Sequence, residues 1–327
     1  MTRGGFATIF GTGRSGSTWL GSIVDTHPDL AYRFEPLARL RDDTRVLRLC
    51  ERIMGSGADL SLLDDLHQCL LRADPLTCKP PFFPKRHQRT LGRAWMWPAS
   101  RAANAVRDLF SLAYAARPGT PLVFKEVGLN RLVIPLVRDA GLRAIYLIRH
   151  PCGVVSSTLE GQQKRLMPAG RREVVADLLR KHDQALWARW ATDLPSASPA
   201  TIEALLWRIE VEEALREVWH LPHVHLVVYE DLCARTEEVA GRAFEHLGLN
   251  PSEQTRRLLE AMSSPNSAAR RAHGDRWVND YFSVFRDPRD SAEKWKKQLP
   301  KESVTEIFGA VESSPAFTRC AAIGNWT

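Results

Sequence analysis

A glycine-rich segment near the start of the chain constrains the fold more than any other feature of the sequence. The apolar run at 6–10 predicts a buried strand, and 17–24 predicts a helix. Between them lies Gly11-Thr-Gly-Arg-Ser-Gly-Ser-Thr18. A strand, a glycine loop and a helix N-terminus together surround an oxyanion with backbone N–H groups and positive partial charge. The segment therefore predicts a phosphate-binding loop in an α/β domain.

This loop departs from the ATP-binding form at one position. Gly11 and Gly16 have the spacing of G-x-x-x-x-G-K-[ST], and Thr18 fills the Ser/Thr position. Ser17, however, stands where the lysine belongs, and kinases need that lysine on the β- and γ-phosphates. The loop carries its cation at Arg14 instead. This departure disfavours ATP chemistry, although a P-loop kinase and a non-catalytic nucleotide-binding module are kept as alternatives.

Strands and helices alternate along the rest of the chain. Further strands are predicted at 30–34, 121–125, 142–148 and 224–229, and helices at 38–54, 60–72, about 100–116, 129–140, from 154, at 201–219, 236–247 and 301–312. This order predicts a P-loop-containing nucleotide-binding fold: a central, mostly parallel five-stranded sheet flanked by helices. We interpret residues 1–327 as a single domain, with a helical insertion at about 36–118 and a segment at about 160–200 that could form a lid.

Composition and charge limit what such a chain can do. Its 327 residues are 44% hydrophobic and 25% charged, as in ordinary globular proteins, and the net charge of +7 suits an anionic ligand. The six cysteines lack metal-ligand spacing, so we expect reduced thiols and no metal. The chain shows no signal-peptide core and no long apolar stretch, which predicts a soluble, cytoplasmic protein without a membrane span. Its basic residues form no long run, so we expect no nucleic-acid partner, and the oligomeric state is left open.

A second anion-binding segment is predicted at the end of the fourth strand. The apolar run ends at Arg149, and Pro151 turns the chain into a helix. Open α/β sheets bind ligands at the carboxyl ends of their strands, which is where Arg149 lies. Ser157 follows about two helical turns later. An arginine at a strand end is structural as often as functional, so this segment gains its meaning only together with the first.

Together, the two segments resemble the sulfotransferase family whose donor is 3′-phosphoadenosine 5′-phosphosulfate. Arg14-Ser-Gly-Ser-Thr-Trp19 matches the family motif for the 5′-phosphosulfate, with Arg where cytosolic members usually carry Lys and where the carbohydrate-modifying branch commonly carries Arg. Arg149 and Ser157 match the motif for the 3′-phosphate. The resemblance implies that the donor is held by Arg14, Ser15, Gly16, Ser17, Thr18, Arg149 and Ser157.

Weaker matches extend this resemblance along the chain. Phe34-Glu35-Pro36 is similar to a segment of carbohydrate sulfotransferases in which the Glu is taken as the base, and Lys125 ends a strand where the family has a catalytic Lys. The segment 228–232 resembles a recurrent strand-end motif. Trp295 and Lys296 belong to a Trp- and Lys-containing segment similar to one that helps close the donor site.

One departure from the family concerns the base. Members that act on phenols and steroids have a catalytic His shortly after the strand-end Lys, whereas this chain has Glu126-Val127 there. The resemblance therefore implies a carboxylate base, with Glu35 preferred and Glu126 as its rival. Arg14 and Lys125 would stabilise the leaving and bridging oxygens. We expect His150 to lie beside the 3′-phosphate.

The acceptor is expected to be a hydroxyl of a sugar or glycoconjugate. A small-molecule natural product or a lipid hydroxyl, sulfated by the same mechanism, is the alternative. The acceptor site is expected to be shaped by residues 36–118 and 160–200, in which no motif is recognised.

Overall fold

The computed structural model describes residues 5–78, 81–86, 99–100, 106, 109, 115–263 and 288–326. Their strands are β1 (Phe6–Gly11), β2 (Ala31–Phe34), β3 (Leu122–Val127), β4 (Arg143–Ile148) and β5 (Val224–Val228). The strands form one sheet in the order β2-β3-β1-β4-β5, and all four pairings are parallel. The predicted five-stranded parallel sheet of a P-loop-containing fold is thus confirmed.

Helices cover both faces of this sheet. In the described ranges they are α1 (Ser17–Val24), α2 (Pro36–Arg39), α3 (Thr44–Ser56), α4 (Leu60–Leu71), α5 (Asn130–Arg138), α6 (Pro151–Gln163), α7 (Arg172–His182), α8 (Gln184–Trp190), α9 (Pro199–Glu217), α10 (Tyr229–Ala234), α11 (Thr236–His246), α12 (Glu253–Ser263), α13 (Pro288–Gln298), α14 (Lys301–Val311) and α15 (Pro315–Gly324). Successive side chains of each strand enter opposite cores. On β1, for example, Ile9 belongs to the core that includes residues of α1, α11 and α12, whereas Phe10 belongs to the core that includes residues of α3 to α9.

The structure corrects the predicted helix at 38–54, which is two elements. Helix α2 ends at Arg39, and α3 begins only at Thr44. The side chain of Asp43 accepts hydrogen bonds from the N–H groups of Arg45 and Val46, so it caps a new helix. An Asp just before a helical pattern is a start signal that the continuous interpretation overlooked.

Other predictions fare differently. Most of the helix predicted at about 100–116 falls outside the described residues. Within 160–200 the structure places α7 and α8, and α7 packs against both α8 and α9. The lid there stays a prediction, as do the domain boundaries. In the ranges that the structure describes, no helix has the length and apolarity needed to cross a bilayer. The cytoplasmic location remains a prediction.

Candidate nucleotide and transfer site

The glycine loop crosses the carboxyl edge of the sheet between β1 and α1. Two of its glycines are required by close approach: a Cβ on Gly11 would collide with the carbonyl oxygen of Leu147, and one on Gly16 with the ring of Tyr229. Gly16 also has a φ of 96°, which side chains rarely tolerate. Around Gly13, a Cβ would meet nothing within 4 Å, so the loop is open on that side.

Buried hydroxyls in this loop fit it for an oxyanion. Ser15 Oγ and Thr12 Oγ1 are buried and have no hydrogen-bond partner among the described residues. A buried hydroxyl without a partner is costly. A phosphate or sulfate oxygen at the N-terminus of α1 would satisfy such groups and would gain from the helix dipole. The loop residues therefore suit the 5′ end of the donor.

Arg14 joins the loop to the second anion-binding segment, which contains Arg149 and Ser157 and is called the second motif below. Its backbone is left-handed, with a φ of 66°, a conformation that costs energy for a residue with a side chain. Arg14 Nε donates to Ser157 Oγ at 3.0 Å, and Arg149 Nη1 donates to the carbonyl oxygen of Arg14 at 3.0 Å. The structure thus brings together two segments that are far apart in the sequence.

Arg149 is buried, with 8% of the residue exposed. Besides the carbonyl of Arg14, its guanidinium donates to the carbonyl oxygen of Ser291 at 2.8 Å and lies 4.3 Å from the ring centroid of Tyr229. Its Nε is buried with no partner among the described residues, and no described carboxylate forms an ion pair with it. A buried guanidinium held by carbonyls and a ring keeps its charge available for an anion.

A side-chain pair lies on the other side of the loop. Lys125 Nζ is 2.5 Å from Glu35 Oε1 and 3.3 Å from Thr18 Oγ1, and it lies 4.3 Å from the ring centroid of Phe34. Burial lowers the pKa of the Lys125 ammonium, while the neighbouring Glu35 carboxylate raises it. Arg39 Nε approaches the second Glu35 oxygen at 3.4 Å. This pair reaches the loop through Thr18.

Glu126, the rival base, lies on the face of β3 opposite to that of Lys125, because adjacent residues of a strand point to opposite faces. The residue is fully buried, and its Oε1 accepts a hydrogen bond of 2.5 Å from the N–H of Leu37. Burial raises the pKa of this carboxyl to about 8. Its Oε2 has no partner within the described residues. The carboxyl therefore holds the start of α2 and is shielded from an acceptor.

His150, next to Arg149, has a packing role. Its Nδ1 accepts from the N–H of Cys152, which caps α6, and its ring stacks on Trp295 with centroids 4.7 Å apart and planes 10° apart. Burial, with Arg149 and Lys296 nearby, lowers the pKa of His150 to about 4. Lys296 itself is exposed and pairs with Glu293 at 3.2 Å. The structure thus places Trp295 and Lys296 beside the second motif.

Two residues of the segment 228–232, which the sequence marked only as resembling a recurrent strand-end motif, shape the site. Tyr229 lies under the Arg149 guanidinium and also against Gly16. Glu230 accepts a hydrogen bond of 3.1 Å from the N–H of His150. Both begin α10 directly after β5, and β5 pairs with β4. The signal was available, since neighbouring parallel strands deliver their following residues to the same edge.

The described part of the chain contains no cluster of three or more His, Cys, Asp or Glu that could hold a metal ion. Every group identified above as suited to an anion is a cation, a hydroxyl or a backbone N–H. The chemistry that this arrangement supports is the binding of an anionic group at two points, with a carboxylate and an ammonium beside one of them.

Comparison with known proteins points to one family. The family profile described as "Sulfotransferase domain" matches residues 7–312. Carbohydrate sulfotransferase 7 of Mus musculus is 25% identical over 349 residues, which cover 91% of this chain and 70% of the relative. Carbohydrate sulfotransferase 1 of Danio rerio is 24% identical over 338 residues, covering 90% and 73%. Among solved structures, the sulfotransferase domain from the curacin biosynthetic pathway has 17% identity and a TM-score of 0.48, covering 99% of this chain and 98% of that one.

Proposed function

The chain belongs to the sulfotransferase domain family, and we propose that it transfers a sulfuryl group from 3′-phosphoadenosine 5′-phosphosulfate to a hydroxyl of a sugar or glycoconjugate. The observation that carries the proposal is the contact between the two anion-binding segments. Arg14 bonds to Ser157, Arg149 bonds to the backbone of Arg14, and the Glu35–Lys125 pair lies beside the same loop through Thr18.

The donor carries anionic groups at both its 5′ and 3′ positions. In the proposed site, the loop from Ser15 to Thr18 holds the 5′ end with backbone N–H groups and hydroxyls. Arg149 and Ser157 hold the 3′-phosphate, for which the unpartnered Nε of Arg149 is a donor. Trp295 and Lys296 border this end of the site from α13.

Transfer requires a base and cations. In our proposal, Glu35 accepts the proton of the acceptor hydroxyl. The hydroxyl oxygen of the acceptor bonds to sulfur while the bond from sulfur to the phosphate oxygen of the donor breaks. Arg14 and Lys125 stabilise the charge on the leaving oxygen, as positioned cations do in phosphoryl transfer. The partly exposed Glu35 is favoured over Glu126 because Glu126 is buried and hydrogen-bonded to the backbone.

Support for a sugar acceptor comes from the relatives. Those reported above are carbohydrate sulfotransferases that align with about nine tenths of this chain. The Glu35–Lys125 pair, without a histidine on the end of β3, adds to this support.

The donor is tested by thermal unfolding of the full chain with adenosine 3′,5′-bisphosphate, compared with ATP and Mg²⁺. A ligand at about 100 times its Kd stabilises a protein by about 2.7 kcal/mol, so the bisphosphate is expected to raise the Tm clearly and ATP to raise it less. R149A is expected to lose the shift, and R256A, at an exposed arginine of α12, to keep it. An equal or larger shift with ATP would reject the proposal.

The acceptor is tested with sulfur-labelled donor. Mono- and oligosaccharides, phenols and hydroxylated lipids are offered in parallel, and label transfer is measured after separation. Sugars are expected to be labelled, and transfer only to phenols or lipids would overturn the acceptor proposal while leaving the donor proposal intact.

A further inference from the structure

The last turn of the described chain folds back on itself. Helix α15 ends at Gly324, Asn325 has a φ of 48°, and the N–H of Trp326 returns to the carbonyl oxygen of Ala321 at 3.0 Å. A left-handed residue at this point reverses the chain after a helix. The reversal carries the Trp326 indole against the residues that surround Arg149.

Trp326 reaches the second motif first through a carboxylate. Its Nε1–H donates to Glu230 Oε2 at 3.1 Å, and the other oxygen of Glu230 accepts from the N–H of His150 at 3.1 Å. Burial raises the pKa of Glu230, and these hydrogen bonds oppose that rise. A single buried carboxylate therefore joins the indole to the residue that follows Arg149.

A second route runs through aromatic rings. The Trp326 ring centroid lies 5.2 Å from that of His150 and 6.4 Å from that of Trp207. Trp207 is 1% exposed, and its Nε1–H donates to the carbonyl oxygen of Arg149 at 3.0 Å. Trp326 thus packs against His150, which follows Arg149 in the chain, and against Trp207, which bonds to the Arg149 carbonyl oxygen.

Gly324 shows how close this packing is. A Cβ at Gly324 would collide with Nε1 of the Trp326 indole and would lie 2.8 and 2.9 Å from two further ring atoms. The turn therefore needs a residue without a side chain to bring the indole into place. The match to the sulfotransferase profile ends at residue 312, so Gly324 and Trp326 lie outside the matched segment.

We propose that Trp326 is a positioning residue for the 3′-phosphate of the donor. Through Glu230, His150 and Trp207 it fixes the main chain at Arg149, so that the buried guanidinium faces that phosphate. The glycine loop is bonded to Arg149 only through the Arg14 carbonyl among the contacts described above, and β1, α1 and the ring of Tyr229 hold it as well. Loss of Trp326 should therefore weaken recognition of the 3′-phosphate and spare recognition of the 5′-phosphate. The inference rests on the proposed function.

The experiment compares two nucleotides that differ only in the 3′-phosphate. Dissociation constants for adenosine 3′,5′-bisphosphate and adenosine 5′-phosphate are measured by calorimetry on the full chain. The Kd of the 5′-phosphate divided by the Kd of the bisphosphate is the ratio that reports the 3′-phosphate contact. W326A removes the indole, W326F keeps a ring but loses the hydrogen bond to Glu230, and G324A displaces the indole without altering it. G309A is the matched control, because a Cβ at that helical glycine meets nothing within 4 Å.

We expect W326A and G324A to reduce the ratio about tenfold, in line with loss of a charge-assisted hydrogen bond, with W326F intermediate and G309A unchanged. The affinity for adenosine 5′-phosphate should stay within about twofold of the wild type. An unchanged ratio in folded variants, or an equal loss for both nucleotides, would overturn the inference. Should W326A not fold by circular dichroism, G324A and W326F decide. A wild-type protein that binds both nucleotides equally would instead reject the proposed donor site.

Discussion

Glu35 and Lys125 are joined by both their side chains and their backbones. The carboxylate oxygen lies 2.5 Å from Nζ, and the Glu35 N–H donates to the Lys125 carbonyl oxygen at 2.8 Å. This second bond is formed where β2 ends beside β3, with Glu35 left-handed at a φ of 50°. A non-glycine residue in that conformation is strained, and such strain concentrates at functional sites. The two residues are thus held together beside the glycine loop, which Lys125 contacts through Thr18.

The first prediction concerns this carboxylate. E35Q should reduce sulfuryl transfer by about 10²- to 10⁴-fold, because general base assistance is lost. The affinity for adenosine 3′,5′-bisphosphate should be nearly unchanged, since the proposed donor contacts do not include Glu35. Label transfer to the acceptor found in the screen and calorimetry measure the two effects. E51Q, at an exposed position of α3, serves as the control. Full activity of E35Q would place the base elsewhere.

The second prediction separates Glu126 from Glu35. E126Q keeps an oxygen that can accept the Leu37 N–H, so it should retain transfer activity. E126L leaves that buried N–H unpaired and should lower the free energy of unfolding by about 1–3 kcal/mol. Chemical denaturation and the transfer assay measure these outcomes. If E126Q loses activity as severely as E35Q, Glu126 takes part in the chemistry and the assignment of Glu35 as sole base fails.

Much of this fold and part of this site follow from local patterns. The spacing of Gly11 and Gly16 predicts the loop, and alternating apolar runs predict the parallel sheet. Since parallel strands end at one edge, a meeting of Arg14 and Arg149 could be expected before the structure was known. Their bond through the Arg14 carbonyl confirms that the segments are neighbours.

Contacts without a local signature could not be predicted in this way. The contact of Glu35 with Lys125 depends on the pairing and register of β2 and β3, which the sequence does not state. The approach of Trp326 to Glu230 joins residues far apart in the chain, and it depends on a turn after the last helix. Such pairings arise from tertiary packing, which propensity and periodicity do not encode.

The third prediction uses two neighbouring serines of α6. S157A removes a hydroxyl that accepts from Arg14 and is proposed to contact the 3′-phosphate, so binding of adenosine 3′,5′-bisphosphate should weaken about five- to tenfold. S156A is the matched control, because Ser156 Oγ donates to Gln298 Oε1 instead. Calorimetry on both variants checks the result. Equal affinities for the two variants would remove Ser157 from the donor site.

The last prediction concerns the pH dependence of stability at His150. Burial lowers the pKa of this imidazole to about 4, compared with 6.5 in the reference state. Between these values the unfolded chain binds more protons than the folded chain, so the free energy of unfolding rises with pH. The contribution is fully present above pH 6.5 and is lost as the pH falls toward 4, by about 3 kcal/mol in total.

H150N tests this dependence, because Asn is also a good N-cap and can accept the Cys152 N–H but does not titrate. Denaturant titrations between pH 4 and 7 should show a smaller loss of stability on acidification in H150N than in the wild type, even though the variant also loses the stacking on Trp295. H220N, at an exposed histidine, should retain the wild-type dependence. Parallel pH profiles for H150N and the wild type would mean that the imidazole titrates alike in the folded and unfolded chains.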